Sequence, residues 1–166
     1  MPIYSKVISD ACILKRIDDP QYKKILLLGC GGCMNESLAF THSTPLIFHG
    51  QNDIFPSIEA ECNRISDMLF ANGYAVETIV LPAGSNATCI RNLGERQFSL
   101  PDEVVPDVIL VLSCPSGFWG LSSRIQKAPL ESIVKQIGMI YYTYSDNGKE
   151  RHIIDCKLSS FADEKS

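Results

Sequence analysis

Two uninterrupted apolar runs constrain this chain most. Ile25-Leu26-Leu27-Leu28, closed by Gly29, and Val108-Ile109-Leu110-Val111-Leu112, closed by Ser113, contain no polar residue on either alternating face. A strand with one wet face alternates apolar and polar residues. A strand that does not alternate is covered on both faces, as in a parallel sheet sandwiched between helices. A third strand, Ala75 to Leu81, is closed by Pro82. Ahead of it lies the clearest helix, which opens at Pro56 and ends near Asn72-Gly73. Its apolar face is Ile58, Cys62, Ile65 and Leu69, at helical spacing.

The remaining segments fill in around this frame. Val7, Ile8, Ala11, Leu14 and Ile17 predict a helix over Lys6 to Ile17, ended by Asp18-Asp19-Pro20. Cys30 to about Phe55 reads as a long loop with a minor strand at Leu46-Ile47-Phe48, and Met34 to Pro45 does not read as a dinucleotide-binding helix. Ala83 to Pro106 is irregular and polar, and Ser116 to Ile137 predicts a helix interrupted at Ala128-Pro129. Met139 to Tyr144 and His152 to Leu158 flank Ser145-Asp146-Asn147-Gly148, a hairpin turn in which Asn-Gly accepts positive φ. The order predicts an α/β fold: a Rossmann-like or flavodoxin-like three-layer sandwich with a mostly parallel sheet and a C-terminal antiparallel hairpin at its edge. The whole chain, 1–166, is expected to be one domain, with a helix in 1–22, an α/β core in 23–137 and an edge hairpin with tail in 138–166.

Charge and hydropathy narrow the function classes. The 166 residues are 45% hydrophobic with a net charge of -4, and the basic residues are scattered. A nucleic-acid binder would show a basic face or stripe, so none is expected here. The opening Met1 to Lys6 lacks the basic-then-apolar pattern of a secretory signal, and no run reaches the ~18–20 apolar residues of a membrane span. The expected location is the cytoplasm, where clustered cysteines bind metal more often than they pair. The cysteines number seven, an odd count that cannot pair fully within one chain.

Position sorts those cysteines. Cys62 lies on the buried stripe of the clearest helix, Cys156 shares a strand face with Ile154 and Leu158, and Cys12 sits beside the face of the first helix. All three read as small core hydrophobes. Cys30 and Cys33, in Gly29-Cys30-Gly31-Gly32-Cys33, follow the carboxyl end of the first parallel strand. Cys89 follows the second and Cys114 the third. In an open parallel sheet these ends share one edge, where sites form. Four thiolates there suit a [4Fe–4S] cluster or tetrahedral zinc. Gly31 and Gly32 would let the backbone turn sharply and bring N–H groups close to sulfur, making them candidate cofactor-contacting positions.

Other chemistries explain less. A phosphate loop needs a helix after its glycines, and no complete Gly-x-Gly-x-x-Gly is present. A dithiol or cysteine-nucleophile enzyme would use Cys30 and Cys33, or Cys114, and leave other thiols without a role. His42 and His49 read as solvated loop residues. Phe118 and Trp119 either pack in the core or meet a partner.

Leu26 to Cys33, Thr88-Cys89 and Val111 to Cys114 with the following glycine turn resemble one family. It is the cysteine-rich C-terminal domain, or separate small subunit, associated with bacterial and archaeal methylenetetrahydrofolate reductases. The similarity covers about Lys23 to Ile125. The resemblance implies an iron–sulfur protein of anaerobic one-carbon metabolism that delivers electrons to a flavin-containing reductase. It implies a non-catalytic redox subunit rather than an enzyme on its own, with Cys30, Cys33, Cys89 and Cys114 as cluster ligands. Where that family commonly carries a further cysteine, this chain has Asn35-Glu36-Ser37-Leu38, so one cluster is expected rather than two.

Overall fold

The computed structural model describes residues 2–51, 53–82 and 100–161. Its elements are β1 (Ile3–Val7), α1 (Asp10–Arg16), β2 (Lys24–Cys30), α2 (Cys33–His42), β3 (Ile47–Phe48) and α3 (Pro56–Ala71). They are followed by β4 (Ala75–Leu81), β5 (Val108–Leu112), α4 (Pro115–Ser122), β6 (Leu130–Ser132), β7 (Val134–Asp146) and β8 (Glu150–Ser160). The molecule is a mixed α/β structure with two sheets. One is parallel, in the order β4-β2-β5-β6, and the other antiparallel, in the order β1-β7-β8-β3.

The two apolar runs are the central strands β2 and β5, paired in register from Ile25–Val108 to Gly29–Leu112. Ile25, Leu27, Val108, Leu110 and Leu112 face a core closed by Ile13 and Ile17, Met34 and Leu38, and the α3 stripe Ile58, Cys62, Ile65 and Leu69. Leu26, Leu28, Ile109 and Val111 face the opposite core, with Leu121 of α4 and Ile125, three residues beyond its end. Burial on both faces is therefore the physical reason neither run alternates. The chain leaves β2 toward β4 with α3 on one face, and leaves β5 toward β6 with α4 on the other. Connections diverge between β2 and β5, and a crevice at their carboxyl ends follows from that divergence.

Four expectations are corrected. The first helix is shorter than Lys6 to Ile17: Lys6 and Val7 belong to β1, paired with β7, and α1 begins after Ser9, whose Oγ accepts the Cys12 amide at 3.3 Å. The buried face is Ile13 and Ile17 rather than the expected stripe, of which Ala11 is exposed and only Ile17 is buried. The stretch after the glycines is a helix, α2. Its periodicity is blurred because Asn35 and Ser37 are buried beside Met34 and Leu38. Asn35 earns that place by donating to the Leu46 carbonyl at 2.6 Å and accepting the Ile58 amide at 3.1 Å.

The helix expected over Ser116 to Ile137 stops at Ser122, and β6 and β7 take its second half. Pro129 excludes the helix interior, and its carbonyl instead accepts the Ile109 amide at 2.9 Å at the mouth of the parallel pairing. Finally, the C-terminal hairpin is not an edge of the parallel sheet. Ile133, fully buried, donates to Val111 at 3.2 Å and accepts from Ile8 at 3.0 Å, so the chain changes sheets at that residue. β7 and β8 then form a long antiparallel pair with β1 alongside, turned at Asn147 and Gly148, where Gly148 has φ 78°.

Candidate functional site

The crevice between β2 and β5 is where the glycine-rich turn meets the start of α4. Cys30 is the last residue of β2, Cys33 the first of α2, and Cys114 the N-cap of α4. Cys30 and Cys114 are buried, and Cys33 is half-buried. The six described cysteines are all thiols. Cys89 lies outside the described residues.

Gly31 and Gly32 have different jobs. A Cβ at Gly31 would lie 2.9 Å from both the Leu81 carbonyl oxygen and Phe55 Cδ2. The Gly31 amide donates to that same carbonyl at 2.7 Å, so the turn is held flush against the end of β4. A Cβ at Gly32 would meet only Cys30 Sγ, at an ordinary 3.6 Å. The first glycine is required by close backbone approach. The second lies next to the sulfur.

The three described thiols of the turn and of α4 act on one another. Cys33 is placed as hydrogen-bond donor to Cys114, which holds its own pKa above the usual thiol value, with burial adding to the rise. The same contact lowers the pKa of Cys114; burial opposes this, and the Gly117 and Ser116 amides reinforce it. Those amides face Cys114 Sγ without closing a full capping hydrogen bond. Cys30 is near enough to raise Cys114 by charge repulsion. Of the pair, Cys33 holds its proton the more tightly and Cys114 is the more acidic thiol, at the positive ends of α2 and α4. Among the described residues, no three His, Cys, Asp or Glu side chains are grouped closely enough to hold one metal ion.

Two neighbours had no sequence signal. Glu36, one turn past Cys33, has its carboxyl held above the ordinary range chiefly by burial, while Tyr142 opposes that rise by donating to Glu36 Oε1 at 2.5 Å. Tyr142 comes from β7, 106 positions later, so no local pattern could have announced it. An open cleft of about 470 Å³, lined by Pro2, Cys33, Glu36, Ile140, Tyr142 and Tyr144, connects this corner to solvent.

The other candidates separate from the crevice. Cys62 is buried on α3 as expected, its pKa pushed up to about 12 by burial. Cys12 and Cys156 are exposed, against expectation. The reason for Cys156 is that Ile154 and Leu158, its partners on the β8 face, are themselves exposed, so the apolar spacing there marks no core. His49 lies between Asp53 and Asp146, at 3.4 and 3.3 Å, on the surface near the hairpin turn. Phe118 packs against the α4 core, whereas Trp119 is 66% exposed. No described helix is long and apolar enough to cross a membrane. No family model, curated protein or solved structure matches the chain.

Proposed function

We propose that this protein is an electron-transfer module whose Cys30, Cys33 and Cys114, joined by Cys89, hold one [4Fe–4S] cluster. The observation that carries this reading is the meeting of three thiols, with two helix N-termini, at the point where the parallel sheet's connections diverge. Thiolates are the ligands that iron–sulfur centres take, and amides and helix ends stabilise their negative charge. Tetrahedral zinc on the same four thiolates, structural or catalytic, is the alternative occupant. An iron–sulfur centre supplies one-electron transfer. The chain's own residues supply the setting: Gly31 seats the turn on β4, the amides of Ser116 and Gly117 face Cys114, and the cores exclude water from Cys30 and Cys114.

The parallel sheet with helices on both faces suits a Rossmann-like or flavodoxin-like arrangement, and the cysteine positions suit the small subunit of a methylenetetrahydrofolate reductase-type enzyme. The partner would be a flavoprotein docking over the crevice in the cytoplasm, with exposed Trp119 on α4 available for contact. Anaerobically purified chain should show visible charge-transfer absorption that a low-potential donor bleaches and a flavoprotein acceptor restores. A colourless chain whose spectrum does not respond to reductant would overturn the reading.

A second reading has its own observation. Cys33 and Cys114 face each other, one thiol made less acidic and the other more acidic by the contact, which suits a dithiol redox pair. It predicts a stable Cys33–Cys114 disulfide and exchange with small thiols by metal-free protein.

A further inference from the structure

We infer that β8 is the self-association surface of this protein, pairing antiparallel with β8 of a second copy across a two-fold axis at Cys156. β8 is flanked by β7 along its whole length, but on its other side it meets only β3, at Glu150 and Arg151. From His152 onward no described strand lies along that side. Ile154 to Ser159 are exposed on both alternating faces, with Ile154 at 65% and Leu158 at 39%. A long open strand edge is a template for another strand. The bulge of β8, at Ile154, lies before the regular stretch Asp155 to Ser160. The charges on that stretch, Asp155 and Lys157, are of opposite sign and so do not repel a second copy.

The sequence along the edge selects the occupant. Two strands related by a two-fold axis perpendicular to the sheet must keep paired residues on the same face, so the axis passes through a residue facing its own copy. An axis at Asp155 would set Asp155 against Asp155 of the second copy, and one at Lys157 would oppose the two lysines. Directly opposed like charges destabilise a sheet pair. An axis at Cys156 instead pairs Asp155 with Lys157 twice, on either side of the two facing cysteines. The run Asp155-Cys156-Lys157 is thus complementary to itself when reversed. That centre also falls within the stretch β3 leaves open, so neither copy's β3 has to move.

The same register makes Cys156 face Cys156 of the second copy. Directly opposed residues in an antiparallel pair have Cα atoms roughly 4.5–5.5 Å apart, inside the range a disulfide spans. An added azo oxidant such as diamide would take two electrons and two protons from the two thiols, forming one S–S bond and the corresponding hydrazine.

The test uses the full chain in sedimentation equilibrium. The wild type should form a dimer, Lys157→Asp should weaken it about tenfold by opposing acids at both paired positions, and Asp155→Lys with Lys157→Asp together should restore it. Diamide should trap a covalent dimer in Cys12→Ser protein and none in Cys12→Ser/Cys156→Ser protein. A wild-type chain that stays monomeric at its highest soluble concentration would overturn the proposal, leaving the edge to a strand of another protein. A double exchange that stays as weak as Lys157→Asp would overturn it equally.

Discussion

Tyr142 on β7 donates to Glu36 Oε1 on α2 at 2.5 Å, tying the antiparallel sheet to the helix that begins at Cys33. Together with the bonds of Ser37 to Ile3 and Ser5 of β1, it fastens the antiparallel sheet to α2. Tyr142→Phe leaves the partly buried Glu36 without its donor and should destabilise the chain by about 1–2 kcal/mol in urea unfolding. An unchanged midpoint would mean that solvent already serves Glu36.

The Glu36 carboxyl also sets a pH dependence. Burial raises its folded pKa above the ordinary 4.5, so the folded state binds the proton more tightly than the unfolded state. The stability this lends is complete below about pH 4.5 and is lost as pH rises through the raised folded value. Glu36→Gln cannot ionise, so its stability should fall less than wild type across the weakly acidic range. Parallel stability curves for the two proteins would contradict this sign.

Cys114 should ionise first among the described thiols of the crevice. Accepting from Cys33, helped by the Gly117 and Ser116 amides, lowers its pKa below the usual 9.0, while Cys33 is held above it. In metal-free protein, thiolate absorbance should show a step below pH 9 that Cys114→Ser removes. The same substitution takes away the partner that holds the Cys33 proton, so Cys33 should then titrate closer to an ordinary thiol. A low step surviving in Cys114→Ser would assign the thiolate elsewhere.

The two glycines of the turn should respond unequally. Gly31→Ala drives a Cβ to 2.9 Å from the Leu81 carbonyl, a backbone atom that cannot swing aside, and should displace the turn. Gly32→Ala meets only an ordinary contact and should keep stability and metal content close to wild type. Equal losses in both variants would show that the turn needs glycine for a reason other than space.

Gly29 and Cys62 form a coupled pair under the site. A Cβ at Gly29 would lie 2.7 Å from Cys62 Sγ and 3.1 Å from Ile58 Cγ1. Gly29→Ala should cost on the order of 1–3 kcal/mol by overpacking. Removing the sulfur with Cys62→Ala makes room, so the double variant should be more stable than the sum of the singles predicts. Additive losses in a double-mutant cycle would show that the strand shifts instead.

How much of this was legible depended on whether the signal was local. β2 and β5 announced themselves because strands buried on both faces lose alternation, and α3 because its stripe is apolar at every turn. The placement of Cys30, Cys33 and Cys114 followed from strand ends in a parallel sheet. α2 was missed because Asn35 and Ser37 occupy core positions that hydrogen bonds to distant backbone make tolerable. The assignment of Cys156 to the core failed because apolar alternation in β8 marks a face that nothing described covers. Ile133, where the chain passes between sheets, looks in sequence like any other apolar residue of its segment. Glu36 and Tyr142 meet only in three dimensions.

If the crevice thiols hold an iron–sulfur cluster, anaerobically purified protein contains roughly four iron and four acid-labile sulfide per chain. Cys30→Ser, Cys33→Ser, Cys89→Ser and Cys114→Ser should each lose most of both on metal analysis, and Cys62→Ser should keep them. Zinc in place of iron, or a metal-free chain from strictly anaerobic cells and buffers, would contradict the cluster.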